Sequence, residues 1–226
     1  MPERIQALFA RPVVAIHPGA GNVTKQWPVE HFSALIDLLV ERNDVAIMLV
    51  GGPDDVDVAD ALMEMVQHPD AVASMAGKTS LADLPRLLKT CVLYIGNDSG
   101  PKHIAAAVGI PTVGIHSGVV DPVEWGPIGP NAVALRRNMT CSPCYLAKAE
   151  DCPRSLACLR LFEPNMVYET AALLLKPVPP AISAMVAAEF VPPAAAEAPT
   201  TTRAEPKPTR KPKPKLKRRH HAIEPA

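Results

Sequence analysis

The chain has 226 residues, of which 48% are hydrophobic, so it is long enough to bury one full core and too short for two large domains. No apolar run reaches the roughly 18 residues of a membrane span, and the start of the chain lacks the apolar segment of a signal peptide, so we expect a soluble, cytoplasmic protein. The formal charge of zero averages two unlike parts, because residues 177–226 carry nine Lys and Arg against four Glu, whereas residues 1–176 carry 14 basic and 19 acidic residues.

Short β-branched runs alternate with helical stretches along the chain. Strands are predicted at residues 13–17, 45–50, 72–75, 91–96, 112–116 and 132–135. Helices are predicted at residues 29–41, 56–67, 81–89, 102–108 and 164–175. Near-continuous apolar strands that alternate with helices predict an α/β fold with a doubly wound, Rossmann-like parallel sheet.

The composition divides the chain into three predicted parts. Residues 1–12 are a lead-in, residues 13–176 form one folded domain, and residues 177–226 form a tail rich in Pro, Ala and Lys. A segment of this composition buries too little apolar surface to offset the entropy of ordering, so we predict that the tail is disordered.

In an open parallel sheet, ligands bind beyond the carboxyl ends of the strands. The first strand is followed there by HPGAGNVTKQWP, in which Thr24 offers a hydroxyl and Lys25 a positive charge suited to phosphate. A Gly-rich connector with a solvated lysine is an equally good interpretation of these residues alone.

The most informative loop is GNDSGPKHI, where Asp98, Ser99 and Gly100 lead into a predicted helix. A helix N-terminus presents unpaired N–H groups and partial positive charge, so it can hold a diphosphate. Asp98 and Ser99 could instead be plain N-caps. His103, one turn into the helix, could face the same ligand or could be structural.

The loop GGPDDVDVADAL places Asp54 and Asp55 after the second strand. An acidic residue at this position can accept hydrogen bonds from a ribose diol, or it can complement the dipole of the following helix. The chain has no GxGxxG and no GxxxxGK[ST], which argues against a standard NAD-dependent dehydrogenase and against a P-loop ATPase.

Four cysteines lie close together in the sequence, at Cys141, Cys144, Cys152 and Cys158. The spacing C-x2-C-x7-C-x5-C could supply four thiolates to a tetrahedral zinc, although only the first pair has ligand spacing. The favoured interpretation is a structural loop of reduced thiols with the capacity to form a disulfide.

Three segments together resemble the C-terminal domain of glycosyltransferase family 9, the ADP-heptose:lipopolysaccharide heptosyltransferases. They are HPGAGNVTKQWPVEHFSALI, LVGGPDDVDVADAL, and AGKTSLADLPRLLKTCVLYIGNDSGPKHIAAAVGIPTVGIHSGVVDPVEWGP. The resemblance covers residues 13–175, and its most specific part is Asp-Ser-Gly-Pro-x-His followed by Asp-Pro and Trp-Gly-Pro. It implies the C-terminal half of a GT-B fold and transfer of a sugar from an ADP-activated donor, ADP-heptose, to a lipopolysaccharide-core or related glycan acceptor, with no metal or cofactor.

The resemblance also implies roles for individual residues. Thr24 and Lys25 would contact the diphosphate, Asp54 or Asp55 the ribose, and Thr79 the adenine. The rest of the donor site would consist of Asp98, Ser99, Gly100 and His103. Lys102 departs from the apolar residue usual in the family and would place a second cation beside the diphosphate.

Family members carry an N-terminal acceptor-binding domain with an acidic general base, which has no counterpart in this sequence. We therefore expect the catalytic base and the acceptor site in a separate domain, such as one in another chain. The alternative is a non-catalytic nucleotide-sugar-binding or scaffolding module. The basic tail is interpreted as a solvated extension or a weak peripheral contact with the inner membrane, and it lacks the aromatic residues typical of nucleic-acid binding.

Overall fold

The computed structural model describes Leu8 and residues 10–175, and six strands in this region form one parallel sheet. They are β1 (Val13–His17), β2 (Ala46–Leu49), β3 (Val72–Ser74), β4 (Leu93–Asn97), β5 (Thr112–His116) and β6 (Ala132–Arg136). Their spatial order is β3-β2-β1-β4-β5-β6, and every neighbouring pair is parallel. The chain therefore extends the sheet first on one side of β1 and then on the other.

Five helices connect successive strands, and two more follow β6. They are α1 (Val29–Asn43), α2 (Val56–Met65), α3 (Leu84–Leu88), α4 (Gly100–Ala107), α5 (Pro122–Trp125), α6 (Ala157–Arg160) and α7 (Pro164–Leu174). Four single 3-10 turns lie at Val23–Lys25, Pro53–Asp55, Pro69–Ala71 and Ala149–Asp151. Within the described residues, no helix has the length and apolarity needed to cross a membrane.

The sheet is covered by helices on both faces, as alternate residues of β1 show. Val14 and Ile16 belong to a core cluster built with residues of α1, α2 and α7. Val13 and Ala15 belong to a second cluster, built with residues of α3 and α4. Because successive side chains of a strand point to opposite faces, the two clusters lie on opposite sides of the sheet. The predicted doubly wound α/β fold is confirmed.

The strand order reverses between β1 and β4, which pair directly in the middle of the sheet. Loops at the carboxyl ends of these strands diverge toward opposite faces, and this divergence leaves a crevice. Such a switch point is where open α/β sheets bind ligands. The fold therefore directs attention to the residues that follow His17 and Asn97.

The predicted helix at residues 81–89 begins later than expected, at Leu84. The Ser80 hydroxyl accepts a hydrogen bond from the Asp83 backbone N–H (3.2 Å) and donates one to the Asp83 carboxylate (2.6 Å), closing a turn ahead of the helix. Helices α5 and α6, of four residues each, were not predicted, because so short a segment carries no periodic pattern. The predicted tail lies outside the described residues, so the three-part division stays a prediction.

Candidate functional site

A cavity of about 500 Å³ opens at the carboxyl ends of β1, β2 and β4. Its walls include His17 at the end of β1, residues 18–21 after it, Asp54 and Asp55 after β2, and residues 99–101 at the start of α4. These are the three loops that the sequence singled out, and parallel strand pairing brings their ends to one edge of the sheet.

The N-terminus of α4 borders this cavity without a side-chain cap. Ser99 occupies the N-cap position in an extended conformation, yet its hydroxyl makes no capping hydrogen bond. Its Oγ instead lies 3.0 Å from His17 Nδ1 and 3.2 Å from the carbonyl oxygen of Asn97. The interpretation of Ser99 as a side-chain N-cap is therefore wrong, and the first turn keeps its N–H groups available for another acceptor.

The cavity cluster consists of Asp55, His17 and Ser99. His17 Nε2 lies 3.1 Å from Asp55 Oδ2, which also accepts a hydrogen bond of 2.8 Å from the Gly52 backbone N–H. The hydrogen bond to His17 is the main reason that the pKa of Asp55 lies below its usual value, against the opposing effect of burial. The carboxylate is thus held ionised at the cavity wall.

Two glycines make room for the Asp55 carboxylate. A Cβ atom on Gly19 would overlap the carboxylate, and one on Gly51 would lie 2.6 Å from Asp55 Cβ. Side chains at positions 19 and 51 would therefore force Asp55 out of the place it occupies between the β1 and β2 loops.

The inner cluster consists of Asp98, Lys102 and His116, on the core side of the Asp98–Ser99 peptide. Lys102 is 0% exposed, and its ammonium donates to Asp98 Oδ1 (2.6 Å), to His116 Nε2 (3.1 Å) and to the carbonyl oxygen of Trp125. Three acceptors use all three N–H groups of the ammonium. Lys102 is therefore saturated by the protein itself.

Burial and charge shift the pKa values within the inner cluster. Burial, reinforced by the Lys102 charge, lowers the pKa of His116 to about 4, so its imidazole is neutral at pH 7. Burial also lowers the pKa of Lys102, against the attraction of Asp98. Burial acts to raise the pKa of Asp98, but hydrogen bonds from Lys102 and Lys25 outweigh it, so that the carboxylate stays ionised.

Lys25 connects the β1 loop to the inner cluster. Its Nζ donates to Asp98 Oδ2 at 2.7 Å, yet 24% of its side chain remains exposed. The preceding Thr24 is 0% exposed and belongs to a 3-10 turn that the Asn22 side chain caps by accepting from the Thr24 N–H (3.0 Å). Its Oγ1 has no hydrogen-bond partner among the described residues.

The predicted site residues fall into three groups. Asp54, Asp55, Ser99 and Gly100 line the cavity. Thr24, Lys25 and Asp98 belong to the loops that follow β1 and β4 but do not line the cavity. The other three do not line it either: Thr79 is partly buried with an unpartnered Oγ1, His103 is exposed, and Lys102 lies in the inner cluster. The placement of Lys102 does not match the prediction of a second cation beside the diphosphate, because its three protein acceptors hold it in the core.

Sequence reasoning missed His17, although it is the central member of the cavity cluster. The available signal was its position, because a histidine that ends a buried strand beside the switch point must turn toward the neighbouring loops. His17 is 3% exposed, so its two ring nitrogens depend on partners within the protein.

The four-cysteine segment folds over the loop that follows β5. The Cys144 backbone N–H donates a hydrogen bond to the Gly118 carbonyl oxygen, and the Tyr145 N–H donates one to the Val119 carbonyl oxygen, each with an N···O distance of 2.9 Å. All four cysteines are free thiols, and burial raises the pKa of Cys158. Within the described residues, no three His, Cys, Asp or Glu side chains come together in a way that could hold a metal ion, so the zinc alternative has no geometric support.

Comparison with known proteins agrees with the fold and with the resemblance to family 9. Residues 2–152 match the sequence profile of glycosyltransferase family 9 (heptosyltransferase). Lipopolysaccharide heptosyltransferase 3 of Escherichia coli is 37% identical over 122 residues, which are 53% of this chain and 35% of that protein.

Two solved structures share the fold. E. coli ADP-heptose lps heptosyltransferase II matches with a TM-score of 0.63 at 22% identity, over 77% of this chain and 52% of that one. E. coli heptosyltransferase WaaC with ADP matches with a TM-score of 0.56 at 23% identity, over 73% of this chain and 45% of that one.

The matched region spans about half of each of these solved chains and 35% of the curated relative. The family profile itself covers more than half of this chain and includes all three loops that form the cavity. This chain belongs to glycosyltransferase family 9, the heptosyltransferase family.

Proposed function

We propose that this chain is the donor-binding part of a glycosyltransferase that uses ADP-heptose and transfers the sugar to a lipopolysaccharide-core or related glycan acceptor. The proposal rests above all on the cavity at the switch point, where the start of α4 lacks a side-chain cap and an ionised Asp55 lies on the facing wall. Two observations support this choice of ligand. The chain belongs to the heptosyltransferase family, and the two solved relatives are described with ADP-heptose and with ADP.

The diphosphate would lie over the first turn of α4. The free N–H groups there, the Ser99 hydroxyl and the exposed part of Lys25 all favour an anion. Hydrogen bonds to charged groups contribute roughly 1.5 to 3 kcal/mol each. The same contacts would stabilise the departing ADP as negative charge develops on it, which is how this part of the enzyme would lower the barrier.

The nucleoside would extend along the wall that β2 supplies. Asp55 Oδ2 takes the His17 and Gly52 hydrogen bonds, which leaves Oδ1 to accept from a ribose hydroxyl, with Asp54 beside it. The unpartnered Thr79 hydroxyl is the proposed contact for adenine. Thr24, Gly100 and His103 keep their sequence-based assignment to the donor site as predictions.

The acceptor site and the general base would lie in an acceptor-binding domain, which another chain could supply. The enzyme would work in the cytoplasm, at the inner membrane where lipopolysaccharide acceptors are anchored, and its chemistry would need no metal or cofactor. Contact of the basic tail with anionic lipid would be peripheral.

Calorimetric titration of the full chain with ADP, UDP and GDP tests this proposal. We expect selective binding of ADP, and we expect Lys25→Met to weaken it by about tenfold, equivalent to about 1.4 kcal/mol. Lys89→Met is the matched control. Lys89 is exposed and precedes β4, so it lies near the amino ends of the strands, away from the cavity at their carboxyl ends. Failure of all three nucleotides to bind would overturn the proposal.

A further inference from the structure

We propose that His17 is a positioning residue that couples the two halves of the donor site, the carboxylate that meets the ribose and the hydroxyl that meets the diphosphate. This inference rests on the proposed function. It is carried by the geometry of one buried ring whose two nitrogens contact Asp55 (3.1 Å) and Ser99 (3.0 Å), side chains on two different walls of the same cavity.

The contact between His17 and Asp55 fixes the orientation of the Asp55 carboxylate. Asp55 Oδ2 is held from two sides, by His17 Nε2 and by the Gly52 backbone N–H, and the carboxylate lies against Gly19, where any Cβ would overlap it. A carboxylate held at one oxygen presents the other in a constant direction. His17 thereby sets where Oδ1 meets a ribose hydroxyl.

The Ser99 side fixes the rotamer of a hydroxyl at the start of α4. Ser99 Oγ has one hydrogen, and both His17 Nδ1 and the carbonyl oxygen of Asn97 lie within hydrogen-bonding distance. Nε2 carries the hydrogen that the ionised Asp55 accepts, so in a neutral ring Nδ1 accepts the Ser99 hydroxyl hydrogen. A ring that carries a hydrogen on each nitrogen instead donates to Oγ from Nδ1, and the Ser99 hydrogen can then turn toward a phosphate oxygen. His17 thus holds Oγ at the mouth of the cavity instead of letting it fold back as a helix cap.

Burial makes this coupling specific to His17. The ring is 3% exposed, so solvent is a poor substitute partner for either nitrogen. Asp55 and Ser99 are 44 residues apart in the chain, and in the described structure His17 is hydrogen-bonded to both. A ligand that engages both walls at once therefore benefits from an arrangement that neither wall maintains alone.

Three substitutions of His17 separate the two contacts. His17→Gln keeps a donor near the Nε2 position and so retains the Asp55 contact. His17→Asn keeps a polar atom near the Nδ1 position and so retains the Ser99 contact. His17→Leu fills much of the same volume and retains neither contact. Unfolding curves recorded for each variant restrict the comparison to folded protein.

The test is calorimetric titration of each full-length variant with ADP, adenosine and pyrophosphate. We expect His17→Asn to weaken adenosine binding about tenfold and leave pyrophosphate binding within about twofold, and His17→Gln to do the reverse. His17→Leu should weaken ADP binding more than His17→Asn or His17→Gln does. Equal affinities of the parent and all folded variants, or equal losses for both fragments in every variant, would overturn the role of His17.

The design separates this inference from the proposed function. Absence of ADP binding to the unsubstituted chain would remove the donor site and the coupling together. Binding of ADP to the unsubstituted chain, with a folded His17→Leu variant of the same affinity, would leave the donor site standing and remove the coupling alone. The double variant His17→Gln/Ser99→Ala should bind ADP no more weakly than Ser99→Ala alone. Both substitutions break the same contact, the one between His17 Nδ1 and Ser99 Oγ.

Discussion

Two polar clusters meet at a single peptide bond but differ in how completely the protein satisfies them. Asp98 belongs to the inner cluster, with Lys102 and His116, both of which are 0% exposed. Ser99, the next residue, belongs to the cavity cluster, where 20% of the Asp55 side chain faces the opening. The first cluster joins strands and loops in the core, whereas the second lies at the cavity with part of its polar surface exposed.

The difference follows from the cost of burying charge. An ion removed from water needs close partners, and Lys102 has three acceptors drawn from the end of β4, the end of β5 and the residue that ends α5. Asp55 needs fewer partners because water still reaches it. We therefore expect the saturated cluster to support the fold, and we expect the partly exposed cluster beside the cavity to affect ligand binding.

Removal of Lys102 should have the largest effect. Lys102→Met would leave His116 and the Trp125 carbonyl without a donor, and the buried Asp98 with Lys25 as its remaining cation. Breaking a buried pair by removing one partner typically costs about 3 to 5 kcal/mol. Urea unfolding should show this loss, whereas Lys89→Met should stay near the parent. A Lys102→Met protein as stable as the parent would contradict the supporting role of the inner cluster.

Acid should weaken the inner cluster through His116. The unfolded imidazole takes up a proton below its ordinary pKa of 6.5, whereas the folded one resists until about pH 4. The stability due to a neutral His116 is therefore complete above pH 6.5 and is lost as the pH falls from 6.5 toward 4, by about 3 kcal/mol in total.

Urea unfolding at several pH values, with His116→Gln alongside, would measure this dependence. The variant should show a shallower fall in stability between pH 6.5 and 4 than the parent does. Parallel curves for the two proteins would show that His116 does not cause the fall. The carboxylates whose pKa values are lowered, Asp55 and Asp98, lose their contributions only at lower pH, as the folded groups protonate.

A smaller effect should come from filling the space beside the cavity cluster. Gly19→Ala would push the Asp55 carboxylate from its place and weaken ADP binding by about tenfold, or about 1.4 kcal/mol. Because the overlap is with Asp55 itself, Gly19→Ala should add almost nothing in an Asp55→Ala background. Additive losses in calorimetry would argue that the alanine acts on the ligand directly.

Gly21→Ala serves as the control for stability in the same loop. A Cβ there meets no atom within 4 Å, so we expect an unfolding midpoint equal to that of the parent. If Gly21→Ala lowered the unfolding midpoint as much as Gly19→Ala does, the loss would come from the loop backbone and not from displacement of Asp55.

Apart from the control variants, Lys25→Met should change stability least. The Lys25 side chain is 24% exposed, and Asp98 keeps its hydrogen bond to Lys102, so we expect a loss of no more than about 1 kcal/mol. Urea unfolding measures it on the same samples used for ADP titration. A loss as large as that of Lys102→Met would place Lys25 in the inner cluster and blur the distinction between the two clusters.

Much of the site could be predicted because strand ends are readable from sequence. The strands at Val13–His17 and Thr112–His116 have the bounds expected from their apolar runs, and the Ser99 loop was singled out from its position before a helix. Lys102 was interpreted as a cation for the ligand, although Asp98 lies four residues before it, just ahead of α4, a spacing at which opposite charges can pair across the first helical turn.

The sequence by itself determined the alternation of strands and helices, the loops that hold glycines and polar residues, and the family. Only the tertiary structure decided which polar side chains face the cavity and which are sealed in the core. His17 contacts residues 38 and 82 positions away because the order β2-β1-β4 places three strand ends side by side. Local propensity carries no information about such contacts, since they depend on which strands become neighbours and on where each side chain points once the loops have packed.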